Sequence, residues 1–225
     1  GTVDIIPEPA QMEAQFQEIM RASMSRGVSD AQLRVWAPQG AQVVFVRQVL
    51  PTVEDLTARR TAVNDLTGAY PTGAWSDETR DYHVSVRLPA KALGQEQLAA
   101  RVQIAIGDDV KAQGLVKAKW SSDDNLTARI DSQVAHYTGQ TELAAVIQEG
   151  LAAKSAGNEE LATTKLGRAV QLAAETGNDE ATAKLRTIVD VQDAEAGTVR
   201  LKKAVEKADE MALDTASTKT TRVRK

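Results

Sequence analysis

The sequence predicts an α+β multi-domain protein, an antiparallel β-sandwich followed by an α-helical bundle. Three observations predict it. Over residues 29–121 apolar and polar residues alternate, and Gly, Pro and Asp punctuate the runs. Over 138–213 the apolar spacing lengthens to three and four, the period of an amphipathic helix. A short apolar stretch and a helical segment precede both, within residues 1–28. The strand–helix alternation of a parallel doubly wound sheet is missing from 29–121.

"TVDII" at 2–6 is a strand candidate that Pro7 and Pro9 end. Met12, Phe16, Ile19, Met20 and Ser23 then fall at helical spacing, predicting a helix over about 10–26 that Gly27 stops. Burying each of its large apolar side chains is worth about 1.5–3 kcal/mol. That face is therefore expected to be covered, by an α/β domain upstream or by the sandwich or bundle. "QLRVW" (32–36) and "AQVVFVRQV" (41–49) are strands joined by the turn "APQG". "RDYHVSVRL" (80–88) alternates Tyr82, Val84, Val86 and Leu88 with polar residues. "ARVQIAI" (100–106) leads through "GDD" into "VKAQGLVKAKW" (110–120), and "NDLTGAYPTGAW" (64–75) reads as turns.

Four helices are expected next. The first carries Leu143, Val146, Ile147, Gly150 and Leu151 on one stripe. Asn158 caps the second, with Glu159 and Glu160 favoured at the positive end of the helix dipole. Asn178 caps the third, and the fourth is placed at about 196–213 around Leu201, Val205, Ala208 and Met211. Gly150, Ala162, Leu166 and Ala169 sit at the offsets of a tetratricopeptide hairpin, with Ala174 where that family has Pro. A plain Ala-rich bundle is the alternative.

The chain ends "DTASTKTTRVRK" (214–225), five hydroxyl residues in seven and then cations. Thr215, Thr218, Thr220 and Thr221 are candidate partner-binding or phosphorylation sites. A phosphate adds about −1.5 to −2 charges and strong acceptors, which Arg-bearing forkhead-associated domains read. The flanking Lys219, Arg222, Arg224 and Lys225 would suit a Ser/Thr kinase that prefers basic neighbours. The plain alternative is a frayed terminus.

Other chemistry finds little footing. A net charge of −4 argues against general nucleic-acid binding. The absence of Cys excludes disulfides and thiolate metal sites. No apolar run has the length of a membrane span, and no signal peptide opens the sequence. His83 is placed on the polar face of a strand and His136 in a loop, without the G-x-S-x-G elbow of a hydrolase. Asp108 and Asp109 read as a hairpin turn, and "SSDDNLT" (121–127) as a solvated connector that lacks the Gly and Glu of an EF-hand. Trp36, Trp75 and Trp120 read as core or sheet-edge anchors.

"PEPAQMEAQFQEIMRASMSRG" resembles the last helix of a von Willebrand factor type A domain. "LRVWAPQGAQVVFVRQVLPTVEDLTARR", "TGAYPTGAWSDETRDYHVSVRLPA", "KLGRAVQLAAETGNDEATAKLR" and "MALDTASTKTTRV" resemble the C-terminal half of actinobacterial proteins with that domain. The resemblance implies that the N-terminal helix is left over from such a domain, with a sandwich and a helical region after it. The family's Mg²⁺ site needs Asp-x-Ser-x-Ser, which this sequence lacks; "DTAST" at 214–218 has Ala216 and Thr218 in the serine positions. No cofactor is expected in this chain, and Mg²⁺ only in a domain upstream. Because the sequence opens on Gly1, it is expected to be a fragment. The functional expectation is a non-enzymatic interaction or scaffold region of a cytoplasmic signalling assembly. The alternatives are a secreted or surface adhesin, and a hydrolase built from loop Asp, His and Ser.

Overall fold

The computed structural model describes residues 12–24, 27–127 and 130–222. The strand candidate at 2–6, and the tail beyond Arg222, lie outside the described residues. Two units fold around separate cores, one of Glu13–Gln48 with Asp55–Ile130, the other including Val49–Glu54 and Asp131–Lys225.

The first contains helix α1 (Met12–Met24) and two sheets. The five-stranded sheet runs β4 (Thr61–Asn64), β5 (Thr67–Pro71), β1 (Ala31–Trp36), β7 (Glu96–Ile106), β8 (Asp109–Lys119), and every pairing in it is antiparallel. A three-stranded sheet has the order β3 (Glu54–Asp55), β2 (Gln42–Leu50), β6 (Asp81–Arg87). Leu33 and Val35 of β1, Val46 of β2 and Tyr70 of β5 meet Leu56 in one buried cluster, joined by Tyr82, Val84, Val102 and Ile104. Alternation in β1 is the cause: Ala31, Leu33 and Val35 are buried and their neighbours are not.

The turn-like stretch 64–75 instead contributes β5, whose Thr67–Tyr70 are all buried. Gly and Pro made it read as a turn. Gly68 is there because the Arg60 side chain lies on it: a Cβ would stand 2.6 Å from Arg60 Nε. Pro71 closes the strand.

The helical unit holds α3 (Ser132–Ser155), α4 (Glu159–Glu175), α5 (Asp179–Ile188) and α6 (Lys207–Ser217). Asp131 caps α3 by accepting from the backbone of Gln133 and Val134, so the helix starts before Thr138 and His136 is helical, not in a loop. Asn158 and Asn178 cap α4 and α5 as expected, accepting from Leu161 N and Ala181 N. Helices α3 and α4 pack closely because Gly150 lets Leu166 in; a Cβ there would stand 2.8 Å from that leucine. Leu143, Ile147, Leu166, Leu185, Ile188 and Leu213 form the core.

The expected fourth helix at 196–213 is replaced by a hairpin, β9 (Val189–Asp193) and β10 (Thr198–Leu201), and by α6 beginning only at Lys207. Val189, Val191, Val199 and Leu201 alternate at period two, and Gly197 takes φ +66 in the turn between them. Abundant Ala and Glu masked that signal. The hairpin rests on α4 at Gly167, where a Cβ would meet Gly197 O at 2.2 Å. The connector at 121–127 also differs, holding a one-turn helix, α2 (Asp124–Thr127). Asp123 starts it, its side chain accepting from Asn125 N.

Candidate interaction site

The candidate residues at the C-terminus are held by backbone and side-chain bonds. Thr215 lies within the last turn of α6, and Thr218 is its C-cap. Beyond the helix the chain makes an antiparallel bridge, Lys219 opposite Thr52. Val53 N donates to Thr218 O at 2.7 Å, and Thr220 N donates to Pro51 O at 2.9 Å. The Thr220 hydroxyl donates to Val49 O at 2.6 Å and the Thr218 hydroxyl to Thr215 O at 3.2 Å, so two of the four candidate hydroxyls are already spent on backbone.

Three side chains from α3 and the α5 cap hold the other side of this strap. Gln140 and Asn178 are both buried. Asn178 Nδ2 donates to Gln140 Oε1 at 3.1 Å and to Lys219 O at 3.3 Å, while its Oδ1 caps α5. Gln140 Nε2 donates to the Thr221 hydroxyl at 2.9 Å. His136 Nε2 lies 2.8 Å from Thr221 O. A carbonyl only accepts, so this nitrogen carries the proton. Lys219 Nζ adds an ion pair with Glu180 at 3.1 Å. The expected free or frayed tail is thus, through Thr221, an ordered strap. Burying amide side chains is costly unless they are satisfied, and satisfying them needs these residues in place.

The other histidine belongs to β6. Burial pushes the His83 imidazole below its ordinary pKa; Asp81 opposes that shift and Arg47 reinforces it. Asp108 sits in the β7–β8 turn, 3.8 Å from Arg34, and Asp109 pairs with Lys111. Trp75 stacks beneath the Arg80 guanidinium at 4.7 Å and donates through Nε1 to Thr72 Oγ1 at 2.9 Å. Trp36 lies under Arg101 at 5.5 Å. Among the described residues no group of three or more His, Asp or Glu could hold a metal ion. No described helix is long and apolar enough to cross a membrane.

Two apolar features were not both foreseen. A cavity of about 170 Å³ opens among α4, α5 and β9, lined by Val170, Ala173, Leu185, Val191 and Ala194 with Asp179 and Arg186. Its walls depend on the hairpin, which the sequence reading missed. The second is α1 itself. Met12, Phe16 and Met20, one turn apart along one face, are 55%, 61% and 44% exposed. These three side chains of the face expected to be buried are therefore largely in solvent.

Residues 171–217, covering the end of α4 through α6, match the family described as the von Willebrand factor type A C-terminal domain. The whole fold superposes on a solved structure, a von Willebrand factor type A protein from Catenulispora acidiphila, with a TM-score of 0.93 and 46% identity over 99% of this chain. The chain is therefore similar to a von Willebrand factor type A protein and, over residues 171–217, to that family's C-terminal domain. It spans 53% of the Catenulispora protein, about half of that relative's length. No curated protein matches it. The von Willebrand factor type A match includes the cavity's α5 and β9 walls, the Asn178 cap and all of α6.

Proposed function

We propose that this chain is a non-catalytic protein-interaction region of a von Willebrand factor type A protein, acting as a scaffold in a cytoplasmic assembly. The observation that carries the reading is the open Met12–Phe16–Met20 face of α1 in a chain that matches half of a longer relative. On this reading α1 completes an adhesion-type domain upstream, where Mg²⁺ would be held. The two sheets would form a sandwich that positions that domain, and the helical region, with its tetratricopeptide-like hairpin, would engage a second partner.

Hydrogen–deuterium exchange tests it directly. The part of the Catenulispora protein that this chain does not span is added in trans, and protection is expected over residues 12–24. Unchanged exchange there at saturating concentration would refute the α1 reading. Turnover of simple ester or phosphoester substrates, abolished by His83→Ala or His136→Ala, would favour the hydrolase instead.

The tail adds regulation to the proposal. Thr215, Thr218, Thr220 and Thr221 are the modifiable hydroxyls, and a Ser/Thr kinase and a forkhead-associated reader are the partner classes. A phosphate on Thr220 is incompatible with its bond to Val49 O, so modification would free the strap for a reader. Intact mass of the protein from its native host should show added phosphate on 215–221; its consistent absence ends this part of the reading.

A further inference from the structure

Strand β8 closes one side of the five-stranded sheet, and among the described residues its outer edge has no neighbour in that sheet. It is eleven residues long, and ten are exposed. Edge strands are usually short or covered, because their free N–H and C=O groups recruit further strands. This one is held as a firm rim. It pairs with β7 along its whole length, and Arg34 Nη2 donates to Gly107 O at 2.5 Å, pinning the turn that leads into it.

The register shows what the rim presents. Ala112, Gly114 and Val116 stand opposite Ile104, Val102 and Ala100. Val102 and Ile104 pack on the core, so this face of β8 continues the core's apolar side. Among the described residues nothing covers it: Val116 is 51% exposed, and beyond its own chain neighbours no described atom lies within 4 Å of where a Gly114 Cβ would be. On the opposite face Gln113, Leu115, Lys117 and Lys119 stand beside Gln103, Arg101, Leu98 and Glu96. Lys119 has only a loose 3.7 Å pair with Glu96. The rim is therefore cationic within a chain of net charge −4.

We infer that β8 is a docking edge for an extended acidic segment of another protein, with carboxylates at alternate positions and small aliphatic side chains between. The segment adds as a sixth strand. Its carboxylates meet Lys117 and Lys119, and its aliphatic side chains extend the cover over Ala112, Gly114 and Val116. A second copy of this chain fits poorly. Antiparallel self-pairing centred on Gly114 sets Lys111 against Lys117, and like charges directly opposite destabilise a pair. The inference deepens the interaction-region reading and rests on it.

The test uses the full chain and two peptides, acetyl-VEVEVEV-amide and acetyl-VKVKVKV-amide. Amide exchange should slow over residues 109–119 with the acidic peptide and not with the basic one. Affinity should fall at least tenfold in the Lys117→Glu/Lys119→Glu variant, and should weaken as salt rises from 0.02 to about 0.5 M, where screening is short-ranged. The variant touches only exposed side chains, so it should fold like the parent. Equal binding of both peptides, or protection located elsewhere, overturns the inference. So does concentration-dependent dimerisation abolished by Gly114→Pro, which would make a second copy the occupant. Failure here with residues 12–24 still protected by the trans partner removes the β8 assignment alone; failure of both removes the interaction-region reading.

Discussion

Replacing Asn178 with Ala should cost far more than the same change at Asn158, although the two caps are nearly superimposable. Their backbone angles are φ −89, ψ 81 and φ −87, ψ 83, and each side chain accepts one helical N–H at about 3 Å. Loss of such a cap costs about 1 kcal/mol. Asn158 is exposed, so its loss should stop there. Asn178 is buried and donates twice more, to Gln140 Oε1 and Lys219 O. Its removal strands a buried amide oxygen, which adds about 1–3 kcal/mol. Asn178→Ala should therefore lose about 2–4 kcal/mol in total. Urea unfolding of both variants beside the parent measures this as a shift in midpoint at constant slope. Asn178→Asp separates the two contributions, since it keeps the cap but cannot donate. Equal losses for Asn158→Ala and Asn178→Ala would refute the reasoning, because the polar network around the strap would then contribute nothing.

Gly167→Ala places a methyl against the backbone of Gly197 and should destabilise by about 1–3 kcal/mol, whereas Gly114→Ala, with open space around it, should be neutral or slightly stabilising; thermal unfolding decides between them. Glu210 bonds to Lys154 and also to Lys207, and these contacts hold its carboxyl below the ordinary range despite the opposing effect of desolvation. Its folded pKa is the lower one, so the stabilisation is present above the unfolded carboxylate pKa near about 4.3 and is lost as pH falls through the folded value. Glu210→Gln should thus be less stable than the parent at neutral pH and should converge with it in acid, as read by unfolding midpoints at a series of pH values. Phe16→Asp should leave the unfolding midpoint within about 0.5 kcal/mol of the parent, because that side chain is mostly in solvent already.

Legibility in the sequence followed signal length. The capped helices were readable because an Asn followed by two acids and a period of three to four leaves few alternatives. Strands β1, β6 and β7 were readable through alternation over six residues or more. Strand β5 was not, since its Gly and Pro answer to Arg60 and to the strand end, neither of which is local information. The β9–β10 hairpin was lost among Ala and Glu residues that also favour helix, and tertiary contact with Gly167 decides for the strands. Of the candidate site, the threonines were found from composition, but their partners Gln140, His136 and Asn178 lie at least 40 positions away. Nothing in the sequence joins such distant residues. The α1 pattern was legible as an apolar face, and its lack of cover was not.

The meeting of Gly167 with Gly197 has an evolutionary reading. A seam made of two main chains is indifferent to side-chain fashion, so the residues around it can drift while the spacing stays fixed. Its tolerance for insertions is the opposite. One residue gained or lost between Asp193 and Thr198 would carry the glycine off its counterpart, so length changes among homologues should gather in the 202–206 linker and avoid the hairpin tip.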